Sequence, residues 1–137
     1  LRYDLRAAAR EVREGCLAFR VRRLNRRVTR IYDAVLRPFG LTVAQFNMLV
    51  ALGLGLDIKA GDLSRALDLE KSTVSRNLKR LIERRWVTAA GTERLLTLTA
   101  TGRRLVGRTV PAWRLAQREA AAAIDADLVD ALRRVPR

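Results

Sequence analysis

From Leu17 the apolar positions Leu17, Val21, Leu24, Val28, Ile31 and Val35 step by 4, 3, 4, 3 and 4. That spacing predicts a heptad-like seam on one helix, with Arg20, Arg22, Arg23, Arg26, Arg27 and Arg30 around the rest of it and a stop at Pro38 and Gly40. A helix running back through Gly15 to about Leu5 would have about 32 residues and span about 48 Å. A compact domain of this length measures only about 37 Å across, from a radius of gyration near 14 Å. Such a helix would overhang, and a second chain covering its stripe is the economical solution. The alternative is a helix broken at Gly15 that packs wholly within its own domain.

Further on, Thr42 is placed to cap a helix from Val43 to about Leu54, with Phe46, Leu49, Val50 and Leu54 on its apolar face. Gly53, Gly55 and Asp57 then predict a loop. A short helix is expected from about Ala60 to Leu67, with Asp62 in its first turn, followed by a tight Asp68-Leu69-Glu70 turn. The next helix, Ser72 to about Arg85, offers Val74, Leu78, Leu81 and Ile82 for burial and Thr73, Arg76, Asn77, Lys79 and Arg80 opposite. Two helices joined by a turn of three or four residues, the second one basic, is the helix-turn-helix arrangement. Trp86 to Ala89 and Leu95 to Thr99 are β-rich runs around Gly91, which predicts a hairpin wing. A helix from Ala100 to Ala123, kinked or interrupted at Pro111, and a last one from Asp125 to Arg134 complete the chain.

The expected fold is therefore mainly α with a small β-hairpin wing, a single winged helix-turn-helix domain over residues 1–137. Residues 1–38 and 100–137 would supply dimerisation helices and residues 42–99 the DNA-binding lobe. Hydrophobic residues at 49% give enough apolar mass for a core. The longest nearly apolar run, Phe46 to Leu56, is eleven residues and contains Asn47, well short of the roughly 20 that cross a bilayer. Leu1 stands where a start Met would be and the opening residues form no signal-peptide block, so the native start is expected upstream or trimmed.

Charge sharpens this picture. The net charge is +14, and 25 of the 28 bases are Arg, whose planar fork suits phosphates and guanine edges. Residues 1–40 carry +7 and residues 71–108 carry +8, the second block falling on the helix-turn-helix pattern. With no His and only Cys16, zinc sites built from His and Cys, His-based general-base catalysis and internal disulfides are excluded, and neither an enzyme nor a cofactor is expected. The lone thiol fits a reducing cytosol, so a cytoplasmic location is expected. The leading partner is double-stranded DNA. Ser72, Thr73 and Ser75 can bond base edges or phosphates, and Arg76 is the candidate for bidentate reading of guanine. Asn77 shares their polar face. Lys71, Lys79 and Arg80 are phosphate candidates, Arg65 a backbone clamp, and Arg94 a wing contact for the minor groove. A nonspecific or architectural nucleic-acid protein is the alternative that +14 alone would satisfy.

These residues resemble the MarR family of bacterial winged-helix regulators. The resemblance rests on the long first helix, Leu41-Thr42 with Phe46 opening the next, DLSRALDLEKSTVSRNLKRLIERRWV at 62–87, LTLTATGRRLV at 96–106 and Pro111-Ala112-Trp113. It implies a homodimer through the N- and C-terminal helices, with Leu17, Val21, Leu24 and Val28 in the seam. It further implies two lobes on a pseudo-palindromic operator, and repression relieved by a small aromatic effector or by oxidation. Two departures stand out. Arg85 sits where the family has a Gly for a left-handed helix cap, so a different cap is expected. Glu93-Arg94 replaces the Asp-x-Arg wing signature and Val87 to Thr99 is several residues shorter, so either the wing is short or a tip is missing from this sequence. Some relatives sense hydroperoxides through a first-helix Cys with Tyr partners. Tyr32 falls near such a Tyr, but Cys16 lies about two residues upstream of the sensor position, a turn of about 200°. Cys16 thus reads first as a structural thiol, with redox sensing as the alternative, and Phe19 and Trp113 read first as core residues, with pocket lining as the alternative.

Overall fold

The computed structural model describes residues 4–55 and 58–136. The expected loop residue Asp57 lies outside the described residues. In chain order the elements are α1 (Leu5–Gly15), α2 (Leu17–Leu36), a 3₁₀ turn (Arg37–Phe39), α3 (Val43–Gly53), α4 (Ala60–Ala66), α5 (Lys71–Glu83), β1 (Val87–Ala90), β2 (Leu95–Leu98), α6 (Ala100–Ala122) and α7 (Ala126–Arg133).

The first helix is not continuous. Asp4 caps α1 by accepting from the Arg6 and Ala7 N–H groups at 3.0 and 3.1 Å, and Cys16, with ψ at 108°, breaks the rod between α1 and α2. At 20 residues α2 is about 30 Å long, so the overhang expected from length does not arise. The break expected by the alternative is present, with α1 ending at Gly15, but its packing within the domain is not, because α1 buries no residue. Leu5, Val12, Leu17, Phe19 and Val21 are all exposed, Leu17 at 75% and Val21 at 63%. The case for a second chain passes from helix length to this uncovered apolar surface.

Thr42 accepts from the Gln45 N–H at 3.2 Å while Gln45 Oε1 accepts from the Thr42 N–H at 3.1 Å, a reciprocal cap on α3. The buried face of α3 is Gln45, Phe46, Met48, Leu49 and Leu52. Val50 and Leu54, expected inside, are exposed. The helix is apolar on nearly every side, so spacing alone could not choose its face. The main core joins Leu36, Phe46, Met48, Leu49, Leu63, Val74, Leu81, Val87 and Leu98, with Trp86 and Trp113 packed at its margin.

The hairpin pairs Val87 with Leu98 and Ala90 with Leu95, closing through a four-residue loop. The wing is therefore short. Leu96 N–H also donates to Ile58 O at 2.9 Å, a one-residue third strand that the sequence pattern did not indicate. α6 runs as one helix through Pro111, so of the expected kink or interruption the interruption does not occur. Thr99 caps it, accepting from Gly102 N–H at 3.0 Å and donating to Arg85 O at 2.8 Å. At Gly102 a Cβ would lie 2.3 Å from the Trp86 carbonyl oxygen, so helix and hairpin meet backbone to backbone.

The cap after α5 corrects the expectation of a different device. Arg85 itself adopts φ +58°. Its N–H donates to Ile82 O at 2.9 Å and that of Trp86 to Leu81 O at 3.0 Å, the paired bonds of a Schellman motif. An L-residue in this region costs about 1 kcal/mol that Gly avoids. Arg85→Gly is expected to raise the thermal midpoint by about 4 °C; an unchanged or lower midpoint in a melting curve would refute strain at this position.

Candidate nucleic-acid interface

Asp68, at φ +48°, ends α4. Leu69 N–H reaches back to Ser64 O at 3.1 Å and Ser64 Oγ donates to Leu69 O at 2.6 Å, turning the chain within three residues. Leu63 from α4 and Val74, Leu78 and Leu81 from α5 enter the core, which orients the opposite face of α5 outward. Lys71, Ser72, Ser75, Arg76, Lys79 and Arg80 are exposed there. The only acid on α5 is Glu83 at its last position. One helix thus presents a cationic strip with hydroxyls near its N-terminal end.

Thr73 and Asn77, also expected on this strip, are half-buried. Asn77 Nδ2 donates to Thr73 O at 3.0 Å, and its Oδ1 accepts from Gln45 Nε2 at 3.2 Å. The Asn77 amide therefore ties α5 to α3. Arg76 Nη2 lies 3.5 Å from Thr73 Oγ1, a weak tether that leaves the fork free. Arg65 is paired with Asp62 one turn earlier on α4. The Asp62 carboxyl is held below the usual carboxylate range, first by the Lys59 N–H bond at 2.9 Å and then by the charges of Arg65 and Lys59.

At the wing, Arg94 is exposed at φ +52°, and the neighbouring Glu93 pairs with Lys59 at 3.2 Å. This bridge links the hairpin tip to the start of α4. A cleft of about 670 Å³ lies between them, with Lys59, Ser75, Lys79 and Arg94 among its lining residues. Ser75 and Lys79 of the strip and Arg94 of the wing thus line one cleft, together with Glu83, Glu93 and the apolar Leu78, Ile82 and Leu96.

Sequence reasoning missed three residues here. Gln45 was detectable, since Thr-x-x-Gln before an apolar run is a capping-box signal. Lys59 and Arg84 carried no local signal; Arg84 donates to Gly40 O at 2.9 Å and lies 5.0 Å over Trp86. Gln45→Leu would orphan the half-buried Asn77 side-chain carbonyl and the Thr42 N–H, costing about 2 kcal/mol. A urea midpoint indistinguishable from wild type would show that these groups find other partners.

Away from the groove, Leu24 and Val28 of the expected seam are half-buried while Leu17 and Val21 are exposed. Val28 lines a cavity of about 360 Å³ with Tyr32, Gln117, Val129 and Leu132. Tyr32 donates to Gln117 Oε1, and burial pushes its phenol above the ordinary value. Cys16 is half-buried at the helix break. Trp113 packs on the core, whereas Phe19 is exposed beneath Arg23. Among the described residues no His, Cys, Asp and Glu group is placed to hold a metal, and no single helix is long and apolar enough to cross a membrane.

A family model for the MarR family matches residues 39–94. The structure of the M. tuberculosis transcriptional regulator MosR is 31% identical, covering 87% of this chain and 96% of that one, with a TM-score of 0.74. The same regulator in complex with DNA is 32% identical over 85% of this chain and 94% of that one, with a TM-score of 0.73. The Bordetella bronchiseptica protein BpsR, whose DNA binding is regulated by 6-hydroxynicotinic acid, is 26% identical over 87% and 92%, with a TM-score of 0.77. The chain has no significant match among curated protein sequences.

Proposed function

The chain belongs to the MarR family of transcriptional regulators, and from that premise we propose that it is a homodimeric repressor reading a pseudo-palindromic operator in double-stranded DNA. The observation that carries this reading is the exposed face of α5. Lys71, Arg76, Lys79 and Arg80 stand on it with Ser72 and Ser75 and with no acid before Glu83. A helix of this kind fits the major groove, where Arg76 reads guanine and the other bases hold phosphates. Arg65 adds a backbone contact at one edge and Arg94 a minor-groove contact at the other. The complex of the related regulator MosR with DNA supports DNA binding by this chain.

Pairing of two chains through Leu17, Val21, Leu24 and Val28, joined by the exposed Leu128 and Leu132 of α7, covers the apolar surface. A pseudo-palindromic operator requires such a dimer to hold its two α5 helices about one turn of duplex apart. Relief of repression is assigned to a small aromatic effector, a reading supported by the ligand-regulated DNA binding of BpsR. Oxidation of Cys16 is the second candidate signal; with one Cys in the sequence, any disulfide must join two chains.

The test is binding of the chain to its own upstream region and to scrambled duplex over a salt series. The expected result is a preference of about 10³ or more, with two chains per site and an affinity that falls steeply with salt. Equal affinity for both duplexes would favour the nonspecific, architectural reading.

A further inference from the structure

A second basic surface lies on α2, outside the groove just described. Arg23, Arg26, Arg27 and Arg30 recur at helical spacing and line a cleft of about 690 Å³ whose floor is Leu24, Ile31 and Ala123. The four positions fall within about 10 Å along the helix axis. None of them makes an ion pair among the described residues. The helix has six Arg and a single acid, Asp33, and the Asp33 carboxylate is engaged in accepting from the Val43 N–H at 2.8 Å. Like charges three and four residues apart repel, so this cluster carries a repulsion that no described side chain relieves.

We propose that this cleft binds a small organic anion bearing several phosphate-type groups, distinct from operator DNA. A monocarboxylate could neutralise only one of the four forks. Phosphate oxygens on adjacent groups match several guanidinium forks at once through charge-assisted, bidentate bonds. The apolar floor takes the uncharged part of the ligand, and the volume suits a small molecule. Arg23 is already steered by Phe19, its guanidinium carbon lying 5.8 Å from the ring centroid. Because Leu24 belongs to both the cleft floor and the dimer seam, an occupant would sit at the margin of the subunit interface.

The probe is inorganic tripolyphosphate, titrated calorimetrically into the full chain, with orthophosphate for comparison. Tripolyphosphate is expected to bind once per chain and at least about tenfold more tightly than orthophosphate. Arg26→Gln with Arg27→Gln should weaken it about tenfold or more, while Arg76→Gln with Lys79→Gln should leave it unchanged. Arg27→Lys keeps the charge and removes the fork, so it should weaken binding without disturbing the fold. Loss confined to the α5 pair would place the anion on the DNA face and overturn the proposal. So would loss accompanied by a change of dimer to monomer, which would make the cleft an interface between copies. Absence of tripolyphosphate binding, with the α2 pair weakening only long duplexes, would assign the arginines to flanking DNA instead. The DNA-binding role of α5 is tested separately, so either result leaves the other standing.

Discussion

Arg76→Ala is expected to weaken operator binding by about 10²-fold or more, since a bidentate guanine contact is worth about 1–3 kcal/mol and a dimer makes two. The loss should concentrate on one base position in each half-site, and binding to scrambled duplex should change little. Lys79→Ala gives the contrast. Losing one phosphate contact in each subunit weakens all sequences alike and lowers the salt slope by about two. Titrations of both variants against operator duplexes carrying single base changes separate the two roles. A small, uniform loss for Arg76→Ala would reduce it to a phosphate contact and transfer the reading of sequence to Ser72, Thr73 and Ser75.

The second large effect is structural. Gly102→Ala puts a methyl group 2.3 Å from the Trp86 carbonyl oxygen and 2.7 Å from a Leu98 methyl. The carbonyl cannot simply retreat, because it accepts from the Thr99 N–H at 3.0 Å. Backbone must shift, at a cost of about 3 kcal/mol, which lowers the thermal midpoint by about 10 °C. Gly107, on the same helix, has nothing within 4 Å of its missing Cβ. Gly107→Ala should therefore stabilise by about 0.5–1 kcal/mol through lower unfolded-state entropy. Opposite signs from one substitution on one helix would confirm the close approach, and a midpoint for Gly102→Ala within about 2 °C of wild type would refute it.

The helix-turn-helix was legible because its signals are local and agree. Hydrophobic spacing marked α5, the Asp68 turn had turn chemistry, and the β-rich runs flanked Gly91. The break at Cys16 was legible only as an alternative, since Gly15 weakens a helix without forbidding one, and the spacing alone did not choose between a continuous and a broken rod. The inward face of α3 was misread for the opposite reason. Its residues are so uniformly apolar that only the neighbours could choose among them. Arg85 shows a third limit: the Schellman motif needs a left-handed residue, and tertiary fixation by Thr99 holds Arg where propensity would ask for Gly.

Asn77 is the instructive site residue. Its position on the polar side of α5 suggested DNA, yet a buried Gln45 from another helix claims its amide. Periodicity reports which side of a helix a residue occupies, but not which long-range partner reaches it.

The four-residue hairpin loop also bears on what the operator can encode. β1 and β2 are four residues each, so the finger they form extends only about 13 Å. A finger that short leaves little of the adjacent minor groove within its reach. On the proposed operator, most of the information in each half-site would then be stored in the few base pairs under α5. Aligned binding sites should show a sharp central block in each half and flanks whose composition drifts freely.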